Sequence, residues 1–394
     1  MPTTVAITKT APQPSSEEVS AALAEAVALA GGLADLVHTG ALVLIKPNLL
    51  AVPDGQRAGA CTTPAVCKAI ADLVRAAGGR PIIAESGAVG VDTEQVIRAM
   101  GYTRLREEGY EVVDLKRTPT VKVPVPGGRV LTEVTTFELA ARADAIISVP
   151  VLKTHDQTDV TLSIKNLKGL ETDPEKKRLH RIGIFGGVPD LLALFKPALA
   201  VVDGIYCQEG LGPLHGIPVE MDLLIVGRDL VAVDVVAGEV MDFRLAENPI
   251  PAIAAERSLG IGDLAQIQVV GEPLSSVRRR FLRSHEDERL RMEGLRIIHA
   301  EGTCTGCRNG VLSSLWDLKR QGLYDQAQGL TIVTGEAEVP ADADPERTIT
   351  IGICRPRELR RGERWVRGCP PNNADIVQAI VGEAPQPTNA NAAE

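Results

Sequence analysis

Four cysteines in the last third of the chain, Cys304, Cys307, Cys354 and Cys369, are spaced C-x2-C-x46-C-x14-C. Four thiolates are the usual ligand set of a 4Fe–4S cluster. Each lies beside glycine, in TCTGC, GIC and RGCPPN, so backbone amides can approach sulfur and tune a potential. Zinc is the alternative metal, although zinc ribbons usually bring two CxxC knuckles and this chain has one. A dithiol/disulfide couple needs CxxC at the start of a helix in a βαβ unit, and leaves Cys354 and Cys369 without a task. Four small buried hydrophobes are the plain structural alternative.

A second set is basic. In SVPVLKTHDQTDVTLSIKNLKGLETDPEKKRLHRIG, residues 148–183, Lys153 and His155 directly follow an apolar strand. That is a carboxyl end, where open α/β sheets bind ligands. A short helix over 161–169 puts Lys165 and Lys168 on one face and Asn166 elsewhere. His180 follows a basic cluster, Lys46 and Asn48 end another strand, and Glu85 and Ser86 end a third. One lysine alone is usually a solvated charge. Gathered at strand ends, these residues make a pocket for a small anionic ligand, a phosphate or carboxylate, with Lys153, His155 and His180 as catalytic candidates. A histidine titrating near neutrality would be the proton donor. Asp203 and Glu209 could bind a hard cation or serve as acid or base, while Asp229 reads as a helix cap.

The elements that position these residues alternate. Strands are expected at 5–8, 41–50, 80–86, 110–115, 144–152, 198–204, 222–227 and 266–271. Helices are expected at 17–32, 62–79, near 93–108 and at 229–241. This predicts an α/β fold: a mainly parallel sheet with helices on both faces, plus a smaller C-terminal α/β unit carrying the four cysteines. The expected division is 1–274, a charged linker helix over 275–294, the cysteine-bearing unit over 295–382, and a disordered tail over 383–394. Helices near 310–321 and 373–381 belong to the smaller unit. Cys67 reads as core, and Cys61 and Cys207 as loop thiols near the pocket.

Bulk properties narrow the classes. The chain has 394 residues, 44% hydrophobic and only 3% aromatic, so its core is aliphatic. A net charge of −9 argues against nucleic acid as a partner. The apolar runs fall short of a membrane span, and the N-terminus lacks a basic region followed by an apolar run. Seven cysteines, an odd number, fit a reducing cytoplasm better than a disulfide framework. No GxGxxG follows a strand and no GxxxxGK[ST] occurs, so nucleotide binding is not expected.

Two resemblances add to this reading. RGCPPNNADIVQAI resembles the Gly-Cys-Pro-Pro loop and following helix of the cluster-bearing small subunits of respiratory complex I and nickel–iron hydrogenases. It covers about a dozen residues, and implies that Cys369 is a 4Fe–4S ligand. The blocks KPNLL, TTP, AES, SVPVLKTHDQTDVTLSIKNLKGL, AVVDGIYCQEGLGP and GRDLVAVDVVAGEVM resemble domain-of-unknown-function family 362 over about 40–270. Many relatives carry a ferredoxin-like insert with two four-cysteine motifs. This chain lacks that insert and has the separate C-terminal unit. The resemblance implies a fold and an iron–sulfur association, but no substrate. The leading expectation is an iron–sulfur oxidoreductase passing electrons from one C-terminal 4Fe–4S cluster to an anionic ligand, with a redox partner protein and a homodimer as partners. The alternative is a non-redox ligand-binding or isomerase-type module braced by a cluster or zinc. Its Lys/His pocket is similar in residue types to nickel-cofactor lactate racemases, with no shared motif.

Overall fold

Alternating apolar runs become a ten-stranded sheet in the computed structural model, which describes residues 3–287, 289, 292–300, 303–354 and 364–382. Its main path runs Ile267–Gly271, Thr3–Lys9, Ile217–Gly227, Leu199–Glu209, Ala145–Val149, Leu42–Pro47, Arg80–Glu85, Val112–Asp114. Most pairings are parallel; Ile217–Gly227 is antiparallel to both its neighbours. Val151–His155 pairs with Leu199–Glu209 and folds back antiparallel onto Asp159–Thr161.

Side chains alternate across such a sheet. Val5, Ile7, Leu44, Val202 and Ile225 enter one core, while Ala6, Val43, Ile45, Val201 and Leu224 enter the other. Helices cover both faces, as expected. Ser15 and Glu18 form a reciprocal cap on Ser16–Leu29, Pro64 opens Pro64–Ala76, and Asp229 caps Leu230–Val240 through the amides of Val231 and Ala232. The sequence reading did not anticipate the hairpin of Thr120–Pro124 with Glu133–Phe137, or the helices Asp173–Ile182, Ile184–Phe195 and Pro249–Glu256.

The charged linker helix expected over 275–294 is not formed. A four-residue turn, Leu274–Val277, leads to extended chain and a single 3-10 turn, Ser284–Glu286. The reason is tertiary: Arg279 pairs with Glu209, Arg280 with Glu286, Arg283 with Glu247, and Phe281 is fully buried. The expected tail, 383–394, lies outside the described residues.

The smaller sheet is wholly parallel, in the order Arg296–His299, Thr331–Thr334, Thr348–Ile351, Trp365–Val366. Its carboxyl ends therefore share one edge, and the cysteines follow its first, third and fourth strands. Helix Thr305–Arg320 starts about a turn earlier than expected, so Cys304 is its N-cap residue and Cys307 lies in its first turn. The last helix, Asn373–Val381, is where the sequence placed it. No described helix is long and apolar enough to cross a membrane.

Candidate functional site

A cavity of about 400 Å³ opens at the carboxyl ends of Leu42–Pro47, Arg80–Glu85 and Val151–His155, and the smaller unit contributes part of its wall. Lys46, Asn48, Glu85, Ser86, Lys153, His155, Lys165, Asn166, Lys168 and His180, all singled out in the sequence, line it together. Leu50, Ala88, Val89 and Val91 make an apolar wall, and Ser313, Asp317, Asn372 and Asn373 come from the C-terminal unit.

These residues divide by role. Lys46 is fully buried and pairs with Glu85 at 2.7 Å, while also donating to the Asn166 side chain at 3.0 Å. Asn166 in turn donates to the Lys46 carbonyl and to Ser148. This trio builds the cavity floor rather than offering free charge. Lys153 donates to Asn48 at 2.8 Å and to the carbonyls of Ala60 and Pro213. Burial brings its pKa down to about 8. Lys168 donates to His180 Nε2 at 2.8 Å, and burial brings it down to about 8 as well. Lys165 is buried and has no hydrogen bond or ion pair to any described residue; burial first, then Lys168, holds it well below the ordinary lysine range.

The histidines depart from expectation. Burial, then Lys165, lowers His155 to about 4, and burial with Lys168 and Lys165 holds His180 well below its usual range. Both are neutral at pH 7, so neither supplies an imidazolium proton there. His155 Nδ1 lies 2.9 Å from the Gln157 amide nitrogen and 2.7 Å from Asp156 Oδ1, so the backbone and a carboxylate together fix the ring. His180 Nε2 accepts from Lys168, leaving a buried Nδ1–H without a partner among the described residues.

Asp203 and Glu209 do not reach the cavity. Asp203 is fully buried and accepts from the amides of Thr63 and Ile205, fixing the start of a helix. Glu209 takes a two-point ion pair from Arg279 and the Leu282 amide, tying down the connecting segment. Cys61 and Cys207 are buried thiols that do not line the cavity, and burial raises both. Cys207 lies within a strand rather than a loop. Cys67 is core, as expected.

The four C-terminal cysteines lie around one edge of the smaller sheet. Gly352 has φ +103°, and a Cβ there would stand 3.4 Å from Cys307 Sγ and 3.5 Å from Cys354 Sγ. Both are ordinary van der Waals contacts, so the bare glycine places backbone, and no side chain, beside two of the sulfurs. Cys304 is held well below the ordinary thiol range by hydrogen bonding from Cys307 and from backbone amides. Cys307 is pushed up, first by Cys304, then by burial and by the charges of Cys354 and Cys369. Cys307 thus feels the other three thiols, and Cys369 feels Cys304 and Cys354. Among the described residues, no three His, Cys, Asp or Glu side chains converge closely enough to hold a single metal ion.

The thiol site and the cavity share their framework. Helix Asp173–Ile182 ends at Gly183 (φ +132°), and that break exposes backbone to the Gly-Cys-Pro-Pro loop. The Cys369 amide donates to the His180 carbonyl at 3.2 Å, and the Ile184 amide donates to the Cys369 carbonyl at 3.4 Å. Gln157 donates to the Pro371 carbonyl at 3.0 Å, and Asn373 donates to Asp156 at 3.1 Å and Ser313 at 2.7 Å. The sequence reading missed Asp156, Gln157, Lys176, Ser313 and Asn373. Adjacency to KTH and to GCPP was the available signal for three of them; Lys176 and Ser313 are brought in only by folding.

Residues 43–239 match the family model described as Domain of unknown function (DUF362). The chain is 34% identical over 249 residues to a thylakoid-associated protein of Synechocystis sp. (strain ATCC 27184 / PCC 6803 / Kazusa), covering 60% of this chain and 73% of that protein. A comparison of structures finds a lactate racemase apoprotein from Thermoanaerobacterium thermosaccharolyticum, with TM-score 0.40 and 12% identity, covering 85% of this chain and 69% of the other. The family match lies on the blocks that build the cavity, from Val43 in the strand before Lys46 to Glu239, beyond KTH and KNLKG, and on these findings the chain belongs to the DUF362 family.

Proposed function

We propose that this chain is an iron–sulfur oxidoreductase in which Cys304, Cys307, Cys354 and Cys369 hold one 4Fe–4S cluster and the Lys/His cavity holds a small anion. The observation that carries this reading is the pair of backbone hydrogen bonds joining Cys369 to His180 and Ile184, because they couple a thiolate loop directly to a cavity wall. The glycine at 352, which puts no side chain beside two of the sulfurs, fits a cluster. A single zinc needs four ligands converging on one point, which suits this arrangement less well than a cluster whose ligands stand at its corners.

A bound cluster supplies single electrons. The chain's own residues do the rest. Lys153 and Lys168 attract and orient the anion beside Lys165, and their partly desolvated charges act strongly because little water screens them. His155 offers a neutral N–H donor. Leu50, Val89 and Val91 exclude water from the opposite wall. A redox partner protein, a reducing compartment and a homodimer belong to the same proposal.

The test is anaerobic purification with iron and sulfide analysis and a visible spectrum. One cluster per chain, broad absorption near about 400 nm and bleaching by dithionite are expected, and Cys369→Ser should lose them. A colourless iron-free protein after reconstitution overturns the reading. A second reading has one observation in its favour. Cys304 and Cys307 open a helix between parallel strands, as a dithiol couple requires, and Cys304 is the thiol held low. A reversible Cys304–Cys307 disulfide with no iron uptake would favour it.

A further inference from the structure

Among the described residues, five lysines line the cavity, and four have partners. Lys46 pairs with Glu85, Lys153 with Asn48, Lys168 with His180, and Lys176 donates to Ser86 and Gly87. Lys165 is different. Its side chain is buried, it lines the cavity, and no described residue gives its Nζ a hydrogen bond or an ion pair. Its position is rigidly set, because Asp234 accepts from the amides of Ser163 and Ile164 and so pins the short helix Ser163–Asn166.

Burial disfavours an ammonium here, and the neighbouring Lys168 and Lys153 charges disfavour it further; the Asp156 carboxylate opposes them but makes no ion pair with Lys165 and does not outweigh them. A lysine desolvated beside other cations exposes a lone pair, which is the condition for nucleophilic amine chemistry. Those same neighbours supply positive charge for an anionic group on the molecule that the amine attacks.

We propose that Lys165 is a nucleophilic amine that forms an imine with a small carbonyl compound carrying an anionic group, the 2-oxoacids being the simplest class. Nζ attacks the carbonyl carbon and a C–N bond forms. The carbon–oxygen bond then breaks, and the oxygen leaves as water carrying both amine hydrogens. No oxidant or reductant is required. Lys153 and Lys168 hold the carboxylate while the reaction proceeds. The proposal rests on the cavity being an anion site, and is independent of whether the thiols hold a cluster.

The experiment exposes the full-length protein to pyruvate, and separately to pyridoxal 5′-phosphate, with sodium borohydride, and locates the reduced adduct by peptide mass spectrometry. Calorimetry measures reversible pyruvate binding in parallel. The expected result is a saturable adduct on Lys165 in the wild type. Lys165→Arg should lose the adduct yet retain binding, because it keeps a cation at the same place. Binding without an adduct, or labelling in Lys165→Arg equal to the wild type, overturns the imine. If neither probe binds or labels, the anion-site reading fails and the imine with it. Iron content is measured on the same samples, so loss of the cluster reading registers separately.

Discussion

Lys46 and Glu85 show how single residues here carry more structure than chemistry. Both lie at strand ends and look like site residues in sequence, yet they satisfy each other at 2.7 Å with almost no exposure. Two charges desolvated together are tolerable only as a pair. Lys153 and Lys168 differ, because burial holds each at about 8, below the ordinary lysine value of 10.5. Between those two values the unfolded chain binds more protons than the native one, so stability should rise with pH across that window. Anion binding should move the other way, because the bound form needs the charged amines. Sulfate affinity is expected to be flat to about pH 7.5 and then to fall by up to roughly tenfold per pH unit above 8. Calorimetric titration with sulfate, whose own charge is constant over this range, checks the binding limb, and urea unfolding checks the stability limb. Affinity that stays level to pH 9.5 would remove these amines from the site.

At the scale of elements, the turns that break regular structure do most of the positioning. Starting helix Thr305–Arg320 at Cys304 places the paired thiols at a helix N-terminus, where amides face sulfur. Gly183 separates two helices and leaves the His180 carbonyl for Cys369. Gly352 holds a left-handed conformation between two sulfurs. Replacing Gly352 with Ala forces a side chain into a conformation that costs on the order of 1–3 kcal/mol, and it sets a methyl against both sulfurs. The variant should lose most of its iron on reconstitution and lower the stability of the smaller unit by that amount, read by iron assay and urea denaturation. Full iron loading in Gly352→Ala would show that the space between these sulfurs is not where a cluster sits.

For the whole molecule, the decisive feature is that the smaller unit contributes to the cavity wall. Asn373 bridges Asp156 and Ser313, and Gln157 holds both Asn373 and the Pro371 carbonyl, so residues of the family region meet the C-terminal unit in one hydrogen-bonded seam. Asp156 is nearly inaccessible to solvent. Asn373→Leu leaves it short of a donor, at a cost of about 1–3 kcal/mol. Amide exchange at 155–159 should accelerate, and sulfate affinity should drop several-fold while each sheet stays folded. Unchanged exchange in that segment would mean the seam does not hold the units together. The family match covers residues 43–239, and the wall residues Ser313, Asp317, Asn372 and Asn373 lie beyond it.

Much of this was legible in the chain itself. Period-two aliphatic runs and capped helices are local signals, and they determined the α/β class, most strands of the large sheet and the parallel order that brings the cysteine loops to one edge. Lys46, Lys153, His155, Lys165 and Lys168 were legible as cavity residues because strand ends of a parallel sheet converge. What a residue does once there depends on partners distant in sequence, which only the fold supplies. Glu209 looked available and is held by Arg279 seventy residues away. The charged stretch after residue 274 read as a helix, but its arginines found separate tertiary partners. The histidines read as proton donors and are neutral because burial, invisible in a sequence, removes the water that would stabilise their charge. Lys165 is set apart by having no partner among the described residues, a distinction that exists only once every neighbour has been placed.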